Sequence, residues 1–204
     1  ASKHQVEGER RPLAAILSQP KFLVASFSGM VGYTVMNLIM TATPLSMTHH
    51  GHHFTDSTWV IQWHVLGMFV PSFITGQLIN RFGIPRMIVS GCVLMLACIA
   101  INLTGQSVWH YWTALVLLGV GWNFMFIPAS ALVTETYRPA EKSVAQASNE
   151  FLVFSMVTVS SLSAGWLEVV YGWQWINILA LPLVLLNLLL VLMFVRRQAR
   201  PKPA

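Results

Sequence analysis

Residues 76–104 read GQLINRFGIPR followed by MIVSGCVLMLACIAINLT, and this stretch decides the fold. The first part is a short connection that carries Arg81 and Arg86. The second part is an apolar run whose only interior polar residues are Ser90 and Asn102. A transmembrane helix needs about 20 predominantly apolar residues. Residues 86–104 therefore predict a membrane-spanning helix that begins directly after a basic connection.

The rest of the chain repeats this alternation of apolar runs and short polar connections. Of its 204 residues, 55% are hydrophobic and only 9% are charged, whereas a soluble domain has about 25% charged residues. Because so few charges cannot hydrate a water-facing surface, we expect lipid to cover most of the chain. The predicted spans are residues 22–44, 57–79, 86–104, 109–133, 144–167 and 174–195.

The lysines and arginines predict the orientation of these spans, because such residues collect in cytoplasmic connections. All 12 fall in alternate connections or at the two ends of the chain, and the first, third and fifth connections contain none. Six helices place every cation on one side, which five or seven helices would not do. We therefore predict six transmembrane helices with both ends cytoplasmic. The basic residues are Lys3, Arg10, Arg11, Lys21, Arg81, Arg86, Arg138, Lys142, Arg196, Arg197, Arg200 and Lys202.

The predicted organisation has three parts: a cytoplasmic linker (residues 1–21), a six-helix membrane domain (22–195) and a basic cytoplasmic tail (196–204). The net charge of +5 does not indicate a nucleic-acid partner, since the basic residues punctuate apolar runs; the expected partner is the bilayer. The third and sixth spans are the most uniformly apolar, so the order polar, polar, apolar occurs twice. This order predicts two successive three-helix repeats, as in many transporters.

Helical phase at 100° per residue places polar side chains on single stripes of the first, second and fourth spans. The fifth span is polar around its whole circumference, so we expect it in the interior. Helix packing is the alternative, because small and hydroxyl residues also line helix contacts in membranes. We interpret the larger polar groups as lining a substrate path, with these members: Asn37, Thr41, His64, Asn123 and Asn149.

Two ionisable residues fall inside predicted spans, where such groups are rare and functional by default. His64 can exchange a proton near neutral pH, and Glu150 needs a cationic partner or a proton. Both are candidates for proton coupling. A single hydrogen bond to a neighbouring helix is the alternative role for His64, and a salt bridge in a gate is the alternative for Glu150.

A histidine-rich connection lies between the first two spans. Its imidazoles suit zinc, copper or nickel, but they are exposed in a loop, so we assign no metal there. The weak candidates are His49, His50, His52 and His53. The sequence has no Gly-rich phosphate loop, no His-Glu-x-x-His and no Gly-x-Ser-x-Gly. We therefore predict neither an enzyme nor a cofactor.

The connection GQLINRFGIPR resembles the cytoplasmic loop signature of the major facilitator superfamily, Gly-x-x-x-Asp-Arg/Lys-x-Gly-x-Arg/Lys-Arg/Lys. Residues 118–123 (LGVGWN) and 134–141 (TETYRPAE) also resemble bacterial members. Asn80 stands where the signature has Asp, which puts its charge relay in doubt. Members have twelve spans in two six-helix halves, and the basic lead of this chain is similar to their central linker. The resemblance thus implies the C-terminal half of a transporter, with the N-terminal half as partner.

This resemblance implies a secondary transporter of the bacterial inner membrane, working by symport or antiport. Such a protein moves a small organic solute by alternating access, driven by protons. It also implies a cytoplasmic gate in which Glu150 pairs with the other half, and the gate residues are Gly76, Asn80, Arg81, Gly83, Arg86 and Glu150. The alternative function is a six-helix membrane sensor that responds to metal through the histidine cluster.

Overall fold

A computed structural model describes residues 11–198, and all regular structure within this range is helical. The α-helices are α1 (Leu13–Leu17), α2 (Pro20–His49), α3 (Phe54–Phe69), α4 (Ser72–Phe82), α5 (Ile84–Thr104), α6 (Val108–Thr134), α7 (Lys142–Tyr171) and α8 (Trp173–Gln198), and a 3-10 turn (Pro139–Glu141) precedes α7. The predicted all-α membrane fold is confirmed. The predictions for Lys3, Arg10, Arg200 and Lys202 lie outside the described residues.

Five helices are long and apolar enough to cross a membrane, namely α2, α5, α6, α7 and α8. The second predicted span, residues 57–79, is not one continuous helix, because α3 ends at Phe69 and α4 begins at Ser72. Proline has no N–H to donate to the carbonyl four residues earlier, and Pro71 lies at this break. Val70 and Pro71 keep helical backbone angles, with φ of −58° and −62°. Together α3 and α4 therefore make one kinked span.

The helix contacts confirm the two three-helix repeats. The first repeat is α2, α3 with α4, and α5; the second is α6, α7 and α8. The two first helices pack together, as do the two last ones, α5 and α8. Each first helix also packs against the middle and the last helix of the other repeat. Each helix contact in one repeat thus has an equivalent contact in the other repeat, as expected for two equivalent units.

These contacts arrange the helices in two rows. The front row runs α3 with α4, α6, α2 and α7, and the back row is α5 and α8 behind it. Buried amides join the rows and the two back helices: Asn102 Nδ2 donates to Asn177 Oδ1 at 2.8 Å, and Ser28 Oγ donates to Asn187 Oδ1 at 2.9 Å. The three asparagines of the most apolar spans are thus paired with each other or with α2.

The two ends of the bundle differ in charge. The basic end holds the described lysines and arginines: Arg11, Lys21, Arg81, Arg86, Arg138, Lys142, Arg196 and Arg197. The histidine end holds the other connections, with His49, His50, His52, His53 and His110. At the basic end, Arg11 Nε and NH2 donate to the buried Glu141 carboxylate at 2.9 and 2.7 Å. These bonds raise the pKa of the Arg11 guanidinium above its ordinary value and tie α1 to the start of α7.

Gly119 lets α6 approach α3 closely. A Cβ atom at Gly119 would lie 2.5 Å from the His64 carbonyl oxygen and 2.9 Å from the Met68 nitrogen, both in the backbone of α3. At Gly29 of α2 the nearest atom would be the Ala129 Cβ at 3.7 Å, an ordinary contact. Of these two glycines, Gly119 is therefore the one that the backbone of a neighbouring helix requires.

We expect Gly119→Ala to lower the free energy of unfolding by about 1–3 kcal/mol, because the helix backbones must move apart. The matched variant Gly29→Ala should be neutral or stabilising by up to about 1 kcal/mol, since alanine has the higher helix propensity. Thermal and denaturant unfolding of the detergent-solubilised protein measures both. Equal effects of the two substitutions would contradict the close α3–α6 contact.

Candidate functional site

The break between α3 and α4 is held by Asn123 of α6. The hydrogen-bond ladder of α3 ends with the bond from Val70 N to Leu66 O at 2.9 Å. Asn123 Nδ2 donates to the Met68 carbonyl at 2.7 Å and to Ser72 Oγ at 2.7 Å. An unsatisfied backbone carbonyl in a membrane costs several kcal/mol. The Asn123 amide therefore supplies a partner that the kinked helix itself lacks.

Thr75 completes this network from α4. Its Oγ1 donates to Asn123 Oδ1 at 2.6 Å, so both ends of the amide bind the kinked span. Asn123 and Thr75 are fully buried, whereas Ser72 is exposed. The network thus reaches the surface of the front row at Ser72, about halfway along the span.

Asn37 occupies the corresponding contact in the other repeat. Its Nδ2 donates to Ser160 Oγ at 2.9 Å and to Ser161 Oγ at 2.8 Å, which joins α2 to α7. Asn123 joins α6 to α3 and α4, the pair related to α2 and α7 by exchange of the repeats. Each first helix therefore binds the middle helix of the other repeat through one asparagine.

The structure places the other path candidates differently. Thr41 is exposed on α2, and Asn149 is half-buried on α7. His64 is fully buried between α3 and α6, where its Nδ1 lies 2.8 Å from the Leu115 carbonyl oxygen. Its Nε2 has no hydrogen-bond partner within residues 11–198. Of the five candidates, Thr41 and Asn149 are the ones that reach an open surface to a substantial degree.

An aromatic row crosses the front row near the middle of the helices, and we define it as Phe69, Trp122, Phe126, Tyr33 and Phe154. Trp122 stacks on Phe126 with centroids 5.2 Å apart, and Tyr33 contacts both rings edge-on. Phe69 and Phe154 extend the row to α3 and α7 at centroid distances of 6.3 and 5.7 Å. These spacings are typical of attractive aromatic pairs.

Both ends of the aromatic row are open. Phe69 is 57% exposed and Phe154 is 47% exposed, whereas Trp122 is buried. Near Phe69, a cleft of about 620 Å³ extends between α2 and α3 and is lined by Pro44, Ile61, Gln62 and Leu66 among others. The front row thus offers flat apolar rings beside a cleft with a few polar groups. The polar stripes predicted from helical phase did not indicate this aromatic surface.

The loop signature lies at the basic end. Gly83 has φ of 84°, which an L side chain rarely adopts, and it ends α4 before α5 begins. Asn80, Arg81 and Arg86 are exposed, and a Cβ atom at Gly76 would meet no atom within 4 Å. Within the described residues, this surface is therefore open.

Glu150 is exposed on α7, at the opposite edge of the front row from α4. In the range 11–198, no basic side chain lies within salt-bridge distance of its carboxylate. The structure therefore does not bring Glu150 together with Arg81 or Arg86 inside this chain.

Sequence reasoning missed Glu168 because the fifth span was predicted to end at residue 167. Helix α7 continues to Tyr171, and Glu168 is buried at the histidine end with Oε1 3.5 Å from His49 Nδ1. It is the only charged residue between Glu150 and Arg196, a signal that could have found it.

The histidine cluster is dispersed in the structure. His52 Nε2 lies 2.7 Å from the Gln106 carbonyl oxygen, and His50 Nδ1 lies 2.7 Å from the Ser46 carbonyl oxygen. Across the described part of the chain, no three His, Cys, Asp or Glu side chains are placed to hold one metal ion. The metal-sensor alternative is not favoured.

Comparison with known proteins gives a consistent result. The sequence profile of the Major Facilitator Superfamily matches residues 25–204. The riboflavin transporter RfnT of Brucella anthropi is 46% identical over 178 residues, which cover 87% of this chain and 45% of the relative. The chain thus spans about half the length of this relative.

Two relatives from Bacillus subtilis, YdeG and YddS, are described as uncharacterised transporters of the same type. YdeG is 39% identical over 132 residues, which cover 60% of this chain and 31% of the relative. YddS is 38% identical over 121 residues, which cover 58% of this chain and 28% of the relative.

Asn123→Ala should lower the free energy of unfolding by about 1–3 kcal/mol, because the Met68 carbonyl loses its partner. Pro71→Ala allows α3 and α4 to join as one helix, in which the Ser72 N–H can donate to the Met68 carbonyl four residues earlier. Asn123→Ala should therefore cost at least about 0.5 kcal/mol less in that background. Unfolding of the two single variants and the double variant measures this coupling. As control, Asn102→Ala on α5 should cost the same in both backgrounds. Strict additivity of Pro71→Ala and Asn123→Ala would contradict the role of Asn123 at the break.

Proposed function

This chain belongs to the Major Facilitator Superfamily, and we propose that it is the C-terminal six-helix half of a proton-coupled secondary transporter. The observation that carries this proposal is the open front row, with its aromatic row at mid-height and its cleft between α2 and α3. In alternating access, two halves enclose a central site and rock to open it to either side. The front row has the position and chemistry of one wall of such a site.

The exposed polar surface of α7 supports the proposal that a second half covers the front row. Sequence analysis expects this helix in the interior, because polar residues surround it. Within this chain it lies at the edge of the front row, and Ser155, Thr158 and Ser161 are exposed. Hydroxyl residues of membrane helices favour helix–helix contacts. A second six-helix half would bury this polar surface, and α7 would then lie in the interior as the sequence predicts.

The two ends of the bundle support an orientation. Within residues 11–198, lysines and arginines occur at the basic end alone. Cations in short connections remain on the cytoplasmic side of a membrane. We therefore place the basic end in the cytoplasm and the histidine end outside the bacterial inner membrane.

The substrate class follows from the aromatic row and from the relative named as a riboflavin transporter. A flat heteroaromatic ring can stack on Phe69 or Phe154, and stacking on an aromatic side chain contributes about 1–3 kcal/mol per ring. Gln62 and Thr58 in the adjacent cleft offer hydrogen bonds to hydroxyl groups. Riboflavin combines a flat ring system with a polyhydroxylated chain, so we propose riboflavin or a similar compound as substrate.

The path residues take two roles in this proposal. Thr41 and Asn149 contact the substrate or water in the path, because they reach the surface. Asn37 and Asn123 hold the helices that form the wall, through the bonds to α7 and to the break between α3 and α4. For His64, the bond to the Leu115 carbonyl favours a fixed helix contact over proton coupling.

The gate is proposed at the basic end. Arg81 and Arg86 on one edge of the front row, and Glu150 on the other, lie too far apart to pair within this chain. Each edge is open to the second half, whose own loop signature would supply a cation for Glu150. Such pairs close the cytoplasmic side and must break in each cycle.

In the complete transporter, we expect Phe154→Ala to weaken riboflavin binding about five- to 150-fold, because one stacking surface is lost. Phe154→Tyr keeps a ring and should retain the affinity. Leu189→Ala is the control, since Leu189 is 57% exposed on the back helix α8. Quenching of flavin fluorescence on binding measures affinity, and uptake by cells that cannot make riboflavin measures transport. Equal affinities of Phe154→Ala and Leu189→Ala would contradict the aromatic row as the binding surface.

Glu150→Gln should reduce the transport rate about tenfold or more while substrate affinity stays unchanged, because truncating a charge pair costs about 2–5 kcal/mol. Transport into proteoliposomes and equilibrium binding separate the two effects. Glu135→Gln is the control, since Glu135 is also exposed at the basic end and pairs with Lys21. Unchanged transport by Glu150→Gln would rule out the gate role.

A further inference from the structure

Glu168 is a buried carboxylate whose negative charge is not balanced by a permanent cation among residues 11–198. Its side chain is 1% exposed, and Oε1 lies 3.5 Å from His49 Nδ1. The other oxygen, Oε2, is buried without a hydrogen-bond partner in the described part of the chain. A buried ion without partners is costly, whereas a protonated carboxyl carries no charge. The geometry therefore penalises the ionised carboxylate more than the neutral carboxyl.

The position on α7 adds to this penalty. Glu168 lies in the last turn of α7, and its carbonyl accepts the Gly172 N–H at 3.0 Å. The C-terminal end of a helix carries partial negative charge, which disfavours a nearby anion. Burial and the direction of the helix dipole thus both disfavour the ionised form of Glu168.

The groups that face Glu168 provide no permanent cation. From α2 it meets Ser46, His49 and His50, and from α6 and α8 it is near Tyr111 and Trp173. Tyr111 Oη lies 2.9 Å from Ser46 Oγ and 3.1 Å from His50 Nδ1. The adjoining cleft also includes Gln106 and Tyr171. Among residues 11–198, no lysine or arginine lines the site, so the groups there that can carry a positive charge are His49 and His50.

A route for that proton is present. The His49 side chain is 48% exposed while it contacts the buried carboxylate. Imidazole exchanges protons near neutral pH. His49 therefore links water at the histidine end to Glu168, beside a cleft of about 370 Å³ between the end of α2 and the start of α8.

We propose that Glu168 and His49 form a proton-binding site at the histidine end, and that Glu168 carries the proton which is coupled to transport. Where it concerns transport, this inference rests on the proposed function. A metal ion is the less suitable ligand, since the described residues provide no third His, Cys, Asp or Glu at the pair. With the proton bound, α2 and α7 remain in contact through Glu168. Without the proton, the ionised carboxylate must be hydrated by water that enters through the cleft. This hydration separates the ends of α2 and α7.

Dicyclohexylcarbodiimide tests the site directly, because it reacts with protonated carboxyls in apolar surroundings. The complete wild-type transporter in lipid nanodiscs is labelled at several pH values, and the modified peptides are identified by mass spectrometry. We expect labelling at Glu168 to fall about tenfold or more between about pH 5 and about pH 9. Asp56, a half-buried carboxylate at the same end, should remain unlabelled. Absence of labelling at Glu168, or equal labelling of Asp56, would overturn the proton site.

Proton movement tests the coupling. In proteoliposomes, Glu168→Gln should lower substrate-driven proton flux about tenfold or more relative to wild type, whereas Asp56→Asn should keep it. Full proton flux in Glu168→Gln would overturn the coupling role. If wild type shows no flux with riboflavin, the proposed substrate fails, and the labelling of Glu168 still decides whether the proton site exists. Because the labelling uses wild type, a Glu168→Gln variant that fails to fold does not remove the test.

Discussion

Inside a membrane, every backbone N–H and C=O needs a partner within the protein, because lipid offers none. This constraint explains why all regular structure within residues 11–198 is helical, and it explains the tolerance of a break at Pro71. The Met68 carbonyl at that break is bound by Asn123, a side chain of another repeat. The kink and the asparagine therefore depend on each other. Without the Asn123 amide, the Met68 carbonyl at this break would lose its hydrogen-bond partner.

The same need for hydrogen-bond partners within the protein joins the six spans to one another. Asn37 and Asn123 join corresponding helix pairs of the two repeats, and Asn102 with Asn177 joins the back row. Membrane helices gain little from hydrophobic burial against one another, so small residues and such hydrogen bonds determine how they associate. Gly119 allows α3 and α6 to touch along their backbones. These contacts fix the wall on which the aromatic row lies, and a fixed wall is what rocking of two halves requires.

The charge pattern and apolar runs were sufficient to predict a helical membrane protein and its two repeats, because these depend on where whole segments meet lipid or water. The family was indicated by the loop signature of residues 76–86. They could not show the break at Pro71, since a proline in a membrane helix either kinks it or is accommodated, depending on neighbours. Helical phase placed Asn37 and His64 on stripes, but a stripe does not reveal which helix it faces. His64 proved to be enclosed by α6. Glu168 was missed by one residue, because helix ends are the least certain part of such a prediction.

The acidic groups at the two ends of the bundle have different partners. At the basic end, Arg11 and Lys21 bind Glu141 and Glu135, and arginine and lysine stay charged throughout the physiological pH range. At the histidine end, the buried carboxylate faces imidazoles, whose charge changes near neutral pH. Under the proton coupling proposed above, a change in proton concentration alters the contacts between α2 and α7 at one end and leaves the contacts at the other end intact. Alternating access needs such a difference, because a stimulus that loosened both ends together would open a channel through the membrane.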